Sequence, residues 1–103
     1  MGENNIRFTA SAYEELDRIT DYLIERDLEA AIRIYERIME AVKRLQEFPL
    51  MGVTMDDQEL RAYGYRKLIV DDFSVIYRLF EGEIVLYHVC LLYTSDAADD
   101  LTR

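Results

Sequence analysis

The hydrophobic period of this 103-residue chain changes once, around Pro49, and that change limits the folds open to it. Before Pro49 apolar residues recur every three to four positions, and after a following loop they recur every second position. The first spacing lines one face of a helix; the second lines one face of a strand. Helices followed by strands, in a chain of one-domain length, specify an α+β domain with a helical hairpin packed on one face of a mainly antiparallel sheet.

The elements follow from local signals. Asn5-Ile-Arg-Phe-Thr9 alternates and reads as a short first strand at a sheet edge. Thr9 or Ser11 can cap the first helix, and Ser11-Ala-Tyr-Glu14 has the form of a capping box. Tyr13, Leu16, Ile19, Thr20, Leu23 and Ile24 make one apolar stripe, so this helix runs to about Arg26. Asp27 then caps a second helix carrying Ala31, Ile34, Ile38, Val42 and Leu45, which Pro49 ends for want of an amide hydrogen. With so short a link the two helices should form an antiparallel hairpin. On the outer face of the second helix, Glu40–Arg44 and Glu36–Arg33 are plausible ion pairs. Residues 50–58 read as a loop with Gly52 as its flexible point. Strands are expected over 61–70, 73–80 and 83–89, joined by Asp71-Asp72 and by the hairpin turn Glu81-Gly82. The predicted order is β-α-α-β-β-β.

The formal net charge is −9, so binding to nucleic-acid phosphates would need the few basic residues concentrated in one place. One cysteine and one histidine provide neither an internal disulfide nor a zinc cluster, and no metal or cofactor is expected. The first residues lack the basic-then-apolar pattern of a secretory signal. No apolar run approaches the roughly 20 residues a membrane-spanning helix needs. A cytoplasmic protein without a membrane partner is the expectation.

The last residues stand apart. Cys90-Leu-Leu-Tyr-Thr-Ser-Asp-Ala-Ala-Asp99 resembles the translated end of a transposase adapter used to prepare DNA for sequencing. The codons TGT CTC TTA TAC ACA TCT encode its first six residues, and GAC GCT GCC GAC the next four. Residues 1–89 are therefore expected to be the domain proper, and 90–103 a non-native tail, although Cys90 to Tyr93 is apolar enough to extend a sheet. The tail carries three aspartates and one arginine, so the body without it remains acidic at −7. His88 and Cys90 would share a strand face, as a nucleophile–base pair would, but Cys90 lies in this tail and the pairing is set aside.

A wider pattern runs through the body: Arg7-Phe-Thr-x-Ser-Ala-x-Glu-Glu-Leu16, Ile19-Thr-Asp-Tyr-Leu23, and Leu45-Gln-Glu-Phe-Pro-Leu-Met-Gly52. It continues as Leu60-Arg-Ala-Tyr-Gly-Tyr-Arg-Lys-Leu-Ile-Val70, Phe73-Ser-Val-Ile-Tyr-Arg78 and Ile84-Val-Leu-Tyr-His-Val89. In order and spacing this resembles the RelE/ParE superfamily of bacterial toxins, nearer the ParE branch. The resemblance implies a toxin paired with a cognate antitoxin whose helix and strand cover an apolar groove. It implies either a ParE-like inhibitor of DNA gyrase or a RelE-like ribosome-dependent mRNA endoribonuclease; a binding module without activity is a third reading. Ribonuclease members use clustered basic groups, and some a glutamate and a C-terminal histidine or tyrosine, to activate a ribose hydroxyl and stabilise the phosphorane. Here Phe48 and Met51 stand where some of those members carry glutamate and lysine. Arg66, Arg78 and His88 are the candidate catalytic residues under that reading, with Lys67 a further basic group facing away from Arg66. The plainer reading pairs Arg66 and Arg78 with acids such as Asp71 or Glu83, and makes His88 a packed or edge histidine. Tyr63, Tyr65, Tyr77 and Tyr87 could stack bases, but are equally read as strand residues with buried rings and wet hydroxyls.

Overall fold

The computed structural model describes residues 4–91. Strand β1 (Asn5–Phe8) leads into helices α1 (Ala10–Arg26) and α2 (Leu28–Leu45). A two-residue strand β2 (Val53–Thr54) and a short helix α3 (Gln58–Ala62) follow, then strands β3 (Tyr65–Val70), β4 (Phe73–Phe80) and β5 (Glu83–Leu91). One sheet holds all five strands in the order β1-β5-β4-β3-β2. Among the described residues only β1 and β5 pair in parallel. The α+β architecture is the expected one, and β1 is indeed an edge strand. Of the expected tail, Cys90 and Leu91 lengthen β5, and residues 92–103 lie outside the described residues.

Two elements were not legible as such. The expected loop over 50–58 contains β2, and the expected strand over 61–70 starts only at Tyr65. Residues 61 and 62 instead finish α3, which begins because the Asp57 carboxylate accepts from the amides of Glu59 and Leu60. Gly64, at φ +90°, turns the chain from that helix into β3, a conformation glycine adopts without strain. A five-residue helix and a two-residue strand are too short to impose a period on the sequence.

The start of α1 uses the first of the two candidate caps. Thr9, not Ser11, is its N-cap: Oγ1 of Thr9 accepts from the Ala12 amide at 3.1 Å, and Ser11 lies within the helix. The sheet causes this. The Thr9 amide donates to the Leu86 carbonyl at 3.0 Å, continuing the β1–β5 ladder and holding Thr9 extended, so the helix can begin at the next residue. Thr9→Ala is expected to lower stability by about 1 kcal/mol, and Ser11→Ala by less than about 0.5 kcal/mol; urea unfolding of the two variants reads the difference. Asp27, extended between the helices, donates its amide to Leu23 and accepts from Ala30, so one residue ends α1 and starts α2. Among the described residues the ion pairs on the helical surface are not Glu40–Arg44 or Glu36–Arg33. Arg37 of α2 instead reaches Asp71 in the β3–β4 turn at 2.9 Å.

The core lies between the helices and one sheet face. Leu16 of α1 and Ile38, Val42 and Leu45 of α2 meet Leu68, Val70, Phe73, Val75, Tyr77, Ile84, Leu86 and Val89. Along β5 the inward side switches from Ile84 and Leu86 to Val89 and Leu91. A β-bulge produces the switch: Ile76 pairs with His88 but Tyr77 with Leu86, leaving Tyr87 as the extra residue. Because side chains alternate, one inserted residue reverses the facing of everything after it.

Candidate functional site

Arg66 sits opposite Tyr77 in the β3–β4 ladder, and Tyr77 is wholly buried in the core. Directly opposed residues share a face, so Arg66 lies on the helix-facing side. Its guanidinium donates to the carbonyls of Leu50 at 3.1 Å and Gly52 at 2.8 Å. The Tyr77 hydroxyl works on the same segment, donating to the Pro49 carbonyl at 2.7 Å and accepting from the Gly52 amide at 2.9 Å. Its hydroxyl is therefore satisfied by backbone, not by solvent as the sequence suggested. Arg66 and Tyr77 together clasp the chain as it leaves α2.

Burial raises the Tyr77 pKa above the usual 10.0, against smaller lowering effects from the Gly52 amide and Arg66. The folded protein thus keeps a proton that the unfolded chain gives up. Stability from this group is complete below about pH 10 and is lost as pH rises from there toward the raised folded value. Urea midpoints between pH 8 and pH 11 should fall more steeply for the native chain than for Tyr77→Phe.

Arg78 occupies the other face. It is opposite Tyr65 on β3 and Val85 on β5. Its guanidinium carbon lies 4.5 Å from the Phe80 ring centre and 5.1 Å from that of Tyr65, which in turn meets Tyr87 edge-on at 5.1 Å. One terminal nitrogen donates to the Tyr63 carbonyl at 3.3 Å, while the buried Nε has no hydrogen-bond partner among the described residues. The acids expected to pair with Arg66 and Arg78 are engaged elsewhere: Asp71 by Arg37 and Glu83 by Arg7. Lys67, opposite Val53 and Ile76, shares the open face with Arg78.

His88 is opposite Ile76 and so belongs to that open face by register, at the edge of the sheet. Its Nδ1 lies 3.1 and 3.3 Å from the two carboxylate oxygens of Glu15 on α1. The same carboxylate accepts from the Val89 amide at 2.9 Å. The reason is topological. The β1–β5 ladder ends at Phe8–Leu86, whereas β5 continues to Leu91, and Glu15 supplies an acceptor where the neighbouring strand stops. Beside this edge, Ile19, Tyr22 and Leu23 of α1 face Phe73, Val89 and Leu91 across a groove of about 570 Å³. A second apolar patch on the helices includes Ile24, Leu28, Ile32 and Tyr35.

The three sequence candidates are therefore not gathered into one constellation. Arg66 is separated by the sheet from Arg78 and His88, and His88 is turned to a helix carboxylate. Glu15 was missed because nothing in the spacing of residues 15 and 88 announces that they meet. Among the described residues no group of three His, Cys, Asp or Glu side chains could hold a metal ion. No described helix is long and apolar enough to cross a membrane.

Comparison with known proteins adds three findings. Residues 6–98 match the family model described as ParE toxin of the type II toxin–antitoxin system parDE. A Sinorhizobium fredii protein named as a toxin, Y4kP, is 35% identical over 76 residues, 74% of each chain. Among solved structures, a chain of the chromosomal ParDE toxin–antitoxin system from P. aeruginosa is 25% identical with a TM-score of 0.71, covering 87% of this chain and 97% of that one. A chain of the toxin–antitoxin complex RelBE2 from Mycobacterium tuberculosis shares the fold at 20% identity, with a TM-score of 0.58 and coverage of 86% and 98%.

Proposed function

This chain belongs to the ParE toxin family of type II toxin–antitoxin systems, and from that premise we propose that it arrests growth by binding DNA gyrase, not by catalysis of its own, and is held inactive by a cognate antitoxin. The observation that carries the non-catalytic reading is the separation of Arg66 from Arg78 and His88 across the sheet. General acid–base cleavage of RNA needs its groups within hydrogen-bond reach of one reacting phosphate. Arg66 turns one guanidinium nitrogen to the Leu50 and Gly52 carbonyls, and His88 contacts Glu15.

Two features support an antitoxin. The groove between α1 and the end of β5 is mostly apolar, and the β1–β5 ladder beside it ends at Phe8–Leu86. An extended peptide can add to such an edge through its backbone while its alternate side chains fill the groove. Mutation to aspartate of Tyr22, which lines the groove and is 54% exposed, should weaken capture of the neighbouring gene's product without unfolding the domain.

Purified chain added to gyrase and relaxed plasmid tests the target. Loss of supercoiling or trapped cleaved DNA supports the proposal, and unimpaired gyrase rejects it. The second reading, a ribosome-dependent endoribonuclease, is favoured by Arg78 and His88 sharing one face. Induced expression would then cut messages on ribosomes, and Arg78→Ala would abolish the cuts. Normal growth with intact gyrase and messages would leave a binding module without toxicity. Direct sequencing of the gene across codon 90 tests the further proposal that residues 90–103 are foreign to the domain.

A further inference from the structure

The face of the sheet turned away from α1 and α2 carries two cations, Lys67 and Arg78, that the acidic composition conceals. Register also places Arg7 and His88 on this face; His88 is turned to the Glu15 carboxylate of α1, and Glu83 is the strand carboxylate there. Glu83 is already matched by Arg7 at 3.1 Å. Lys67 forms no ion pair among the described residues, and Arg78 keeps a buried Nε without a partner. Lys67 is diagonal to Arg78 across the β3–β4 ladder, so their side chains leave the sheet roughly 7–8 Å apart.

Aromatic surface lies around these cations. Phe80 follows Arg78 on the same face and remains 45% exposed, and Tyr63, whose carbonyl holds Arg78, is 63% exposed. The Tyr65 and Phe80 rings flank the guanidinium and restrict it before any ligand arrives. Paired cations beside exposed rings suit a flexible chain of phosphates whose bases are free to stack. A duplex, with its bases already stacked, would engage the cations alone.

We infer that this face binds single-stranded nucleic acid, with phosphates on Arg78 and Lys67 and a base against Phe80. The inference goes beyond the toxin reading and does not depend on gyrase being the target. The rest of the molecule is acidic, so binding is confined to this face and is sensitive to salt.

Fluorescence anisotropy of the full chain with labelled twelve-nucleotide single-stranded DNA, the matching RNA and the matching DNA duplex tests it over a salt series. Single strands should bind more tightly than the duplex, and the DNA and RNA arms identify which sugar is preferred. Lys67→Gln should reduce the slope of log affinity against log salt by about 0.7, the value for one phosphate contact on a single strand. Arg78→Lys, which keeps the charge, should preserve the slope, and circular dichroism checks that it folds. Phe80→Leu should weaken binding several-fold without altering the slope. Arg33→Gln, an equal charge change on α2, should do nothing. Absence of binding at low salt, equal binding of the duplex, or equal losses for Arg33→Gln and Lys67→Gln would overturn the inference.

Discussion

Gly52→Ala should destabilise the domain by about 3 kcal/mol, since it combines overpacking with disruption of buried hydrogen bonds. A Cβ at this position would lie 2.7 Å from both Cε1 and the hydroxyl of Tyr77, and 2.9 Å from the Lys67 carbonyl. The aromatic ring cannot retreat easily because Tyr77 is completely buried among core side chains. The backbone carbonyl belongs to a paired central strand and is no freer. Moving the 49–52 segment outward would instead break the Gly52 amide to Tyr77 bond and the Arg66 clasp on Gly52. Tyr77→Phe alone should cost roughly 1–3 kcal/mol, because the Pro49 carbonyl and Gly52 amide lose their partner. The double variant should lose less than the sum of the two, since removal of the hydroxyl relieves one of the clashes that the alanine creates. Urea unfolding of the four chains in this cycle measures the coupling. Strict additivity would mean that Gly52 and Tyr77 do not press on each other in solution.

Leu86→Ala should cost about 3 kcal/mol, within the range for truncating a fully buried leucine. Leu86 is 0% exposed and sits opposite Tyr77 on one side and Phe8 on the other. It therefore joins the antiparallel part of the sheet to the parallel edge strand. Its carbonyl also receives the Thr9 amide that sets the start of α1. A cavity here loosens strand, edge and helix together, so unfolding should stay cooperative while its midpoint falls. Ile69→Ala is the control: that side chain is 53% exposed on the opposite face, and the change should stay within about 0.5 kcal/mol. Similar losses for both positions would contradict the placement of the core.

The candidate site was less legible than the fold. Alternation correctly separated Lys67 from Arg66, because it needs only the local period of β3. The same reasoning could not relate Arg66 to Arg78, whose facing depends on the cross-strand register. His88 was harder still. Its position on the sheet follows from the extra residue at Tyr87, and its partner Glu15 comes from a helix more than seventy positions away. Pairing Arg66 and Arg78 with Asp71 or Glu83 was chemically reasonable. Arg37 and Arg7 reach those acids first, and no local pattern records that competition.

What the sequence by itself determined is what short-range physics controls. The period of 3.6 made Leu16, Ile38 and Leu45 core residues of two helices, Asp27 divided those helices, and the period of two made the later strands. The order of helices before strands was enough for the α+β class. Only the tertiary structure decided which strands became neighbours, where the bulge fell, that Thr9 displaced Ser11 as a cap, and which charges shared a face. Each of these depends on backbone hydrogen bonds or side-chain contacts between residues distant in sequence, and a local period carries no information about a partner that far away.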